Sequence, residues 1–138
     1  MKTHVEFRSD RFPAYEDEDR QINSDRYGKR LAEFLAEGLR KEGFAPQDLV
    51  AEDWGWEVPI ANDGFRLWVG CGSHGEDPGG FLCYIEPHEP YIRRCFKKVD
   101  VRERIESLQQ ALDRILCEAA GIRDKRWYTH GEFNKPGV

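Results

Sequence analysis

Between residues 49 and 96 apolar and polar side chains alternate in short runs, and the breaks between the runs are short as well. Val50, Trp54, Trp56, Val58 and Ile60 share one parity, with Asp53 and Glu57 on the other. A period of two sends neighbouring side chains to opposite faces of a strand. Gly55, between two tryptophans, marks a bulge or bend that splits this run. Asn62-Asp63-Gly64 is a hairpin turn. Strands follow over 65–72 and 81–86, separated by a loop over 73–80, with a less regular strand over 91–96. Breaks this short join antiparallel neighbours, since a parallel crossover needs about a dozen residues or more. The segment is therefore committed to a mostly antiparallel sheet.

Helical periods flank it. From Asp25 onward Tyr27, Leu31, Phe34, Leu35, Gly38, Leu39 and Glu42 lie on one helical face, all large and apolar except Gly38 and Glu42. Asn23, Ser24 or Asp25 is placed to cap the start. Gly43 ends the helix in the left-handed conformation, with Phe44 folding back on the last turn. A second helix is expected from Asp100, with Glu103 at capping-box spacing, an apolar stripe of Ile105, Leu108, Leu112, Ile115, Leu116 and Ala119, and Gly121 closing it. Val5 and Phe7 read as a short first strand, and the acidic run Glu16-Asp17-Glu18-Asp19 as a solvated loop. Arg126-Trp127-Tyr128 reads as a short terminal strand, and residues 134–138 as a frayed tail.

The expectation is one α+β domain over residues 1–138, a two-layer sandwich with two helices on one face of a sheet of about five strands. With 39% hydrophobic and 34% charged residues and 17 aromatics, the composition excludes a disordered chain. No run is long or apolar enough for a membrane span or a signal peptide, which points to the cytoplasm and to free thiols at Cys71, Cys83, Cys95 and Cys117. The net charge of −5 gives no general attraction to nucleic acid or to anionic lipid.

Parity also sorts the sheet faces. Phe65, Leu67, Val69 and Cys71, with Phe81, Cys83 and Ile85, form the core face. The opposite face carries Arg66, Trp68 and Gly70 with Leu82, Tyr84 and Glu86. Arg66, Trp68 and Tyr84 then make an aromatic centre, with Asp53, Glu57 and Glu86 as a charged rim, which is the anatomy of a partner-binding surface. Competing with this, Trp68 and Tyr84 are a plain cross-strand pair, or lie beneath the loop over 11–20.

Other groupings carry less chemistry. Cys71, His74, Cys83 and His88 have zinc-type donors, but parity sends both cysteines to the core, so no metal site is expected. The glycines between residues 70 and 80 join two strands and lack the helix and lysine of a phosphate cradle, and no cofactor is expected. His-Gly-Glu occurs at His74–Glu76 and again at His130–Glu132, which would form an acid–base pair only if the two met in space. Arg93, Arg94, Lys97, Lys98, Arg102 and Arg104 read as a charged edge strand that blocks unwanted pairing, or as a contact for an acidic or phosphate-bearing ligand.

The stretch from the first helix through Asp53-Trp54-Gly55-Trp56, Asn62-Asp63-Gly64 and Leu67-Trp68-Val69-Gly70 resembles small bacterial α+β domains, some of them immunity proteins of toxin systems. That resemblance spans about residues 25–98 and implies binding of one protein partner, with no catalytic residues carried over. The functional expectation is a protein-binding module, immunity-like or regulatory, that contacts neither nucleic acid nor membrane. The alternative is a small enzyme built on His74 and Asp77. A homo-oligomer using the same face or an edge strand is a third reading.

Overall fold

The computed structural model of the protein describes residues 1–22, 26–76 and 78–134. Its elements in chain order are β1 (Lys2–Arg8), α1 (Lys29–Lys41), β2 (Val50–Glu52), β3 (Gly55–Ile60), β4 (Leu67–Ser73), β5 (Gly80–Glu86), β6 (Tyr91–Arg94), β7 (Lys97–Asp100), α2 (Arg102–Glu118), β8 (Arg123–Thr129) and α3 (His130–Phe133). Six strands form one sheet in the order β2-β3-β4-β5-β1-β8, every neighbouring pair antiparallel, while β6 and β7 pair only with each other. The class is α+β. The sheet has six strands instead of about five: the run over 50–60 splits into β2 and β3, the terminal segment adds β8, and β6 leaves to pair with β7.

Helix α1 buries Leu31, Leu35 and Leu39 of the expected stripe together with Ala32 and Ala36, which lie outside it, while Phe34 is only partly buried. It ends as the sequence predicts. Gly43 has φ +93°, its N–H donates to the Arg40 carbonyl (3.1 Å) and the Phe44 N–H to that of Leu39 (2.9 Å). These are the two bonds of a Schellman motif, and Phe44 is buried beside them. The beginning differs. The candidate caps Asn23, Ser24 and Asp25 lie outside the described residues, and the orphan donors of Gly28 and Lys29 reach the Glu18 carboxylate at 2.7 and 3.0 Å. Trp56 Nε1 donates to the same oxygen at 2.9 Å. Glu18 is 2% exposed, so the acidic run is not wholly solvated: one of its members is drawn into the core as a cap.

Helix α2 starts later than expected. Asp100 belongs to β7 and accepts the Arg102 N–H at 2.9 Å, Val101 is the N-cap, and the predicted capping box with Glu103 is not formed. The buried face holds Ile105, Leu108, Ala111, Leu112, Ile115 and Leu116. Gly38 of α1 admits Ile115 where any larger residue would collide. These side chains, those of α1 and the sheet residues Val5, Phe7, Trp56, Val58, Ile60, Leu67, Val69, Cys71, Phe81, Cys83 and Ile85 make one buried apolar cluster. The core-face parity of β4 and β5 is as expected. Among the described residues no helix is long and apolar enough to cross a membrane.

One further expectation is corrected and one turn is longer than a tight hairpin. Residues 91–100 form a separate hairpin with Cys95 and Phe96 at its turn, so the basic stretch is not an edge of the main sheet. Asn62-Asp63-Gly64 does turn the chain between the antiparallel strands β3 and β4, within a six-residue connection from Ile60 to Leu67 in which Asn62 Nδ2 donates to the Phe65 carbonyl (3.1 Å).

Candidate functional site

Register places the site. Directly opposed residues share a face, so His4 and Tyr128, His4 and Tyr84, Gly70 and Tyr84, Trp68 and Glu86, and Glu57 and Gly70 all fall on the side away from the apolar core. Gly70 is required there: a Cβ on it would lie 2.5 Å from Tyr84 Cζ, because the Tyr84 ring rests over the glycine backbone.

Two clusters meet at Tyr84. The first is aromatic. Trp54, Trp68 and Tyr84 have ring centroids 5.4 to 5.9 Å apart, the two tryptophans near parallel and Tyr84 edge-on to Trp68. The Arg66 guanidinium lies 5.2 Å from the Trp68 ring centre and donates to the Glu57 carboxylate. All three rings remain partly exposed, which excludes their burial beneath the loop over 11–20.

The second cluster is imidazole-rich. His4 stacks on Tyr84 at 5.5 Å, and His130 stands 5.3 Å and His88 6.4 Å from His4. His88 and His130 stack at 3.7 Å. Three separate segments deliver these rings: β1, the connection after β5, and α3. The capping box of α3, in which Thr129 Oγ1 accepts from the Glu132 N–H (3.0 Å), fixes the short helix so that Phe133 also stacks on His4 at 5.2 Å. Acidic partners surround the rings. His88 Nδ1 is 2.8 Å from Glu86 Oε1, His74 Nε2 is 3.6 Å from Glu6 Oε2, and Tyr128 donates to Glu6 Oε1 at 2.7 Å.

Burial and charge set the protonation states. Desolvation, reinforced by His130 and His88, lowers His4 from 6.5 to about 4, so its ring is neutral at pH 7. Burial raises the Tyr84 hydroxyl above its ordinary value, and Glu86 adds to the shift, so it stays a hydroxyl donor. On the core face, burial and then Cys71 push the Cys83 thiol well up.

Compared with protein-family models, curated proteins and solved structures, the chain matches none.

The sequence-predicted residues are distributed as follows. Trp68, Tyr84 and Arg66 come together as the centre of the face, and Glu86 shares it but turns to His88. Glu57 is on the face yet only 3% exposed, so it anchors Arg66 instead of forming a rim. Asp53 sits in the turn between β2 and β3. Trp54 shares the parity of Trp56 and Val58 in the sequence, but the break before Gly55 releases it to the other face, where it completes the aromatic group. Cys71 and Cys83 oppose each other in the core and are separate from His74 and His88, and no metal-binding group of three or more donors occurs among the described residues. The two His-Gly-Glu segments do reach one region: the His74 ring is 5.6 Å from that of Phe133, which belongs to the short helix that His130 begins. Asp77 lies outside the described residues. The grouping of His4, His88 and His130 has no signal in the sequence, because it depends on β1 pairing with β5 and β8.

Proposed function

We propose that the chain is a protein-binding module, immunity-like or regulatory, whose contact surface is the sheet face bearing Trp54, Trp68 and Tyr84. The reading takes α1 and α2 as the layer on one face, as in a two-layer sandwich, which leaves the aromatic face for a partner. What carries it is the partial exposure of three mutually packed large rings on a sheet face with an Arg–carboxylate pair beside them. Aromatic and arginine side chains supply most of the anchoring energy at protein interfaces. The test is retention of a partner from native lysate by tagged wild type and by Trp68→Ala. One protein held by wild type and lost by the variant supports the proposal. Equal retention by both removes Trp68 from the surface.

A small enzyme is the second reading. Its original pair, His74 with Asp77, is favoured less than His88, whose ring is oriented by the Glu86 carboxylate as a general base would be. A hydrolase and transferase screen in which wild type is active and His88→Gln at least a hundredfold slower would establish it. Activity unchanged by both His74→Ala and His88→Gln would end it.

A further inference from the structure

The ribbon of β6 and β7 breaks several local rules at once. It pairs with no strand of the main sheet, and an isolated two-stranded hairpin is marginal in water. Arg93 opposes Lys98 and Arg94 opposes Lys97, so both pairs next to the turn are like-charged; such pairs destabilise a ribbon. The turn holds Cys95 at φ 50° and Phe96 at φ 65°, the left-handed pair of a type I′ turn that is usually filled by Asn and Gly. Phe96 is uncovered, with a relative exposure of 102%. Of the large apolar side chains that stand exposed among the described residues, Tyr91, Phe96 and Val99 belong to this ribbon and only Val50 lies elsewhere.

Charge is sorted in the same way. Residues 91–100 carry four cations against Asp100, a net of +3 within a chain of −5, which leaves −8 on the rest. The chain's overall charge, which argues against lipid attraction, is an average that hides this segregation. Opposed residues share a ribbon face and successive pairs alternate. Arg93 and Lys98 therefore stand on one side of the ribbon, Arg94 and Lys97 on the other, and the cations encircle the base of the Phe96 tip. Arg94 also donates to the Gly64 carbonyl, which ties the ribbon to the β3–β4 connection, while Lys98 lies 4.1 Å from the Tyr91 ring centre within the ribbon itself.

We propose that this hairpin is a peripheral contact for an anionic lipid surface, with Phe96 entering the interfacial layer and Arg93, Arg94, Lys97 and Lys98 at headgroup level around it. The encircling arrangement decides the occupant. A protein surface or a nucleic-acid groove meets a ribbon from one side and leaves two of the four cations facing away. A headgroup layer surrounds a tip that enters it, answers all four cations and relieves their mutual repulsion, while the acidic remainder of the molecule is held off the surface. Each cation near an anionic leaflet multiplies affinity by roughly fivefold, and one aromatic tip adds less than an acyl chain does, so the contact is reversible.

The experiment is co-sedimentation with vesicles of pure phosphatidylcholine and of phosphatidylcholine containing 30% phosphatidylserine, the added fraction chosen at about physiological salt. Wild type should sediment with the anionic vesicles, at least tenfold more than with the neutral ones. Phe96→Ser and the double variant Arg93→Glu/Lys97→Glu should each lose at least fivefold. The double variant turns both like-charged pairs into opposite-charged ones, so its thermal midpoint should be unchanged or raised, and misfolding cannot account for its loss. Equal sedimentation with both vesicles, none with either, or no difference between wild type and the double variant would overturn the proposal. So would tighter binding to a single-stranded oligonucleotide than to the anionic vesicles.

Discussion

His4 concentrates the electrostatics of the open face into one side chain. It is 5% exposed, lies between the Tyr84 and Phe133 rings, and is held at about 4 where an unperturbed histidine has 6.5. Above pH 6.5 the ring is neutral in both the folded and the unfolded chain and contributes no pH dependence. Between pH 6.5 and 4 the unfolded chain takes up a proton that the folded one refuses, so stability falls as the pH falls, then levels off below about 4. The gap between the two values corresponds to roughly 3 kcal/mol. His4→Phe keeps a ring against Tyr84 and removes the titration. Chemical denaturation at pH 7 and pH 4.5 should therefore show a smaller loss for the variant than for wild type; equal losses would contradict the assignment. At this scale little was legible beforehand. Nothing in the alternation of residues 2–8 marks His4 as a meeting point, because its neighbours come from residues 84, 88, 130 and 133. Glu18 makes the same point: one acid of a run of four is buried to cap α1 and to bind Trp56, and only long-range packing selects which one.

Elements were legible where their rules are local. The period of α1 and the Gly43–Phe44 signal gave a helix end that is realised bond for bond, and period-two parity sorted β4 and β5 correctly onto their faces. Failures occur where a strong local signal is broken. Gly55 splits its run as the sequence indicates, but parity counted across that break fails and Trp54 changes sides. The ribbon of β6 and β7 was half missed because its turn lacks the Asn and Gly that announce a type I′ hairpin, and because like charges face each other across it. Asp100 reads as a helix cap by spacing, but pairing with Tyr91 claims it for β7, and it reaches the helix only through the Arg102 N–H. The α3 helix is four residues long and rests on a capping box at Thr129, too short to impose a period of its own. Each miss is a case in which pairing between distant segments outweighed a local preference.

At the scale of the molecule the decisive fact is that β1 is an interior strand. Its even-numbered residues join β5 to β8 across the open face, its odd-numbered ones complete the core, and the histidine grouping exists only because of that insertion. The account makes the two sides of the sheet unequal: one side holds the protein together, while the other presents rings whose packing against each other adds little. An aromatic pair adds about 0.5–1.5 kcal/mol beyond the area it buries, whereas truncating a fully buried leucine costs about 2–5 kcal/mol. The measurement that tests this most directly is the unfolding free energy of Trp68→Ala beside that of Leu35→Ala, by denaturant titration at pH 7. Leu35→Ala should lose at least about 2 kcal/mol, and Trp68→Ala, at a partly exposed ring, clearly less. A Trp68→Ala loss as large as that of Leu35→Ala would make the aromatic face a second core and contradict the proposal that it is a surface kept for a partner.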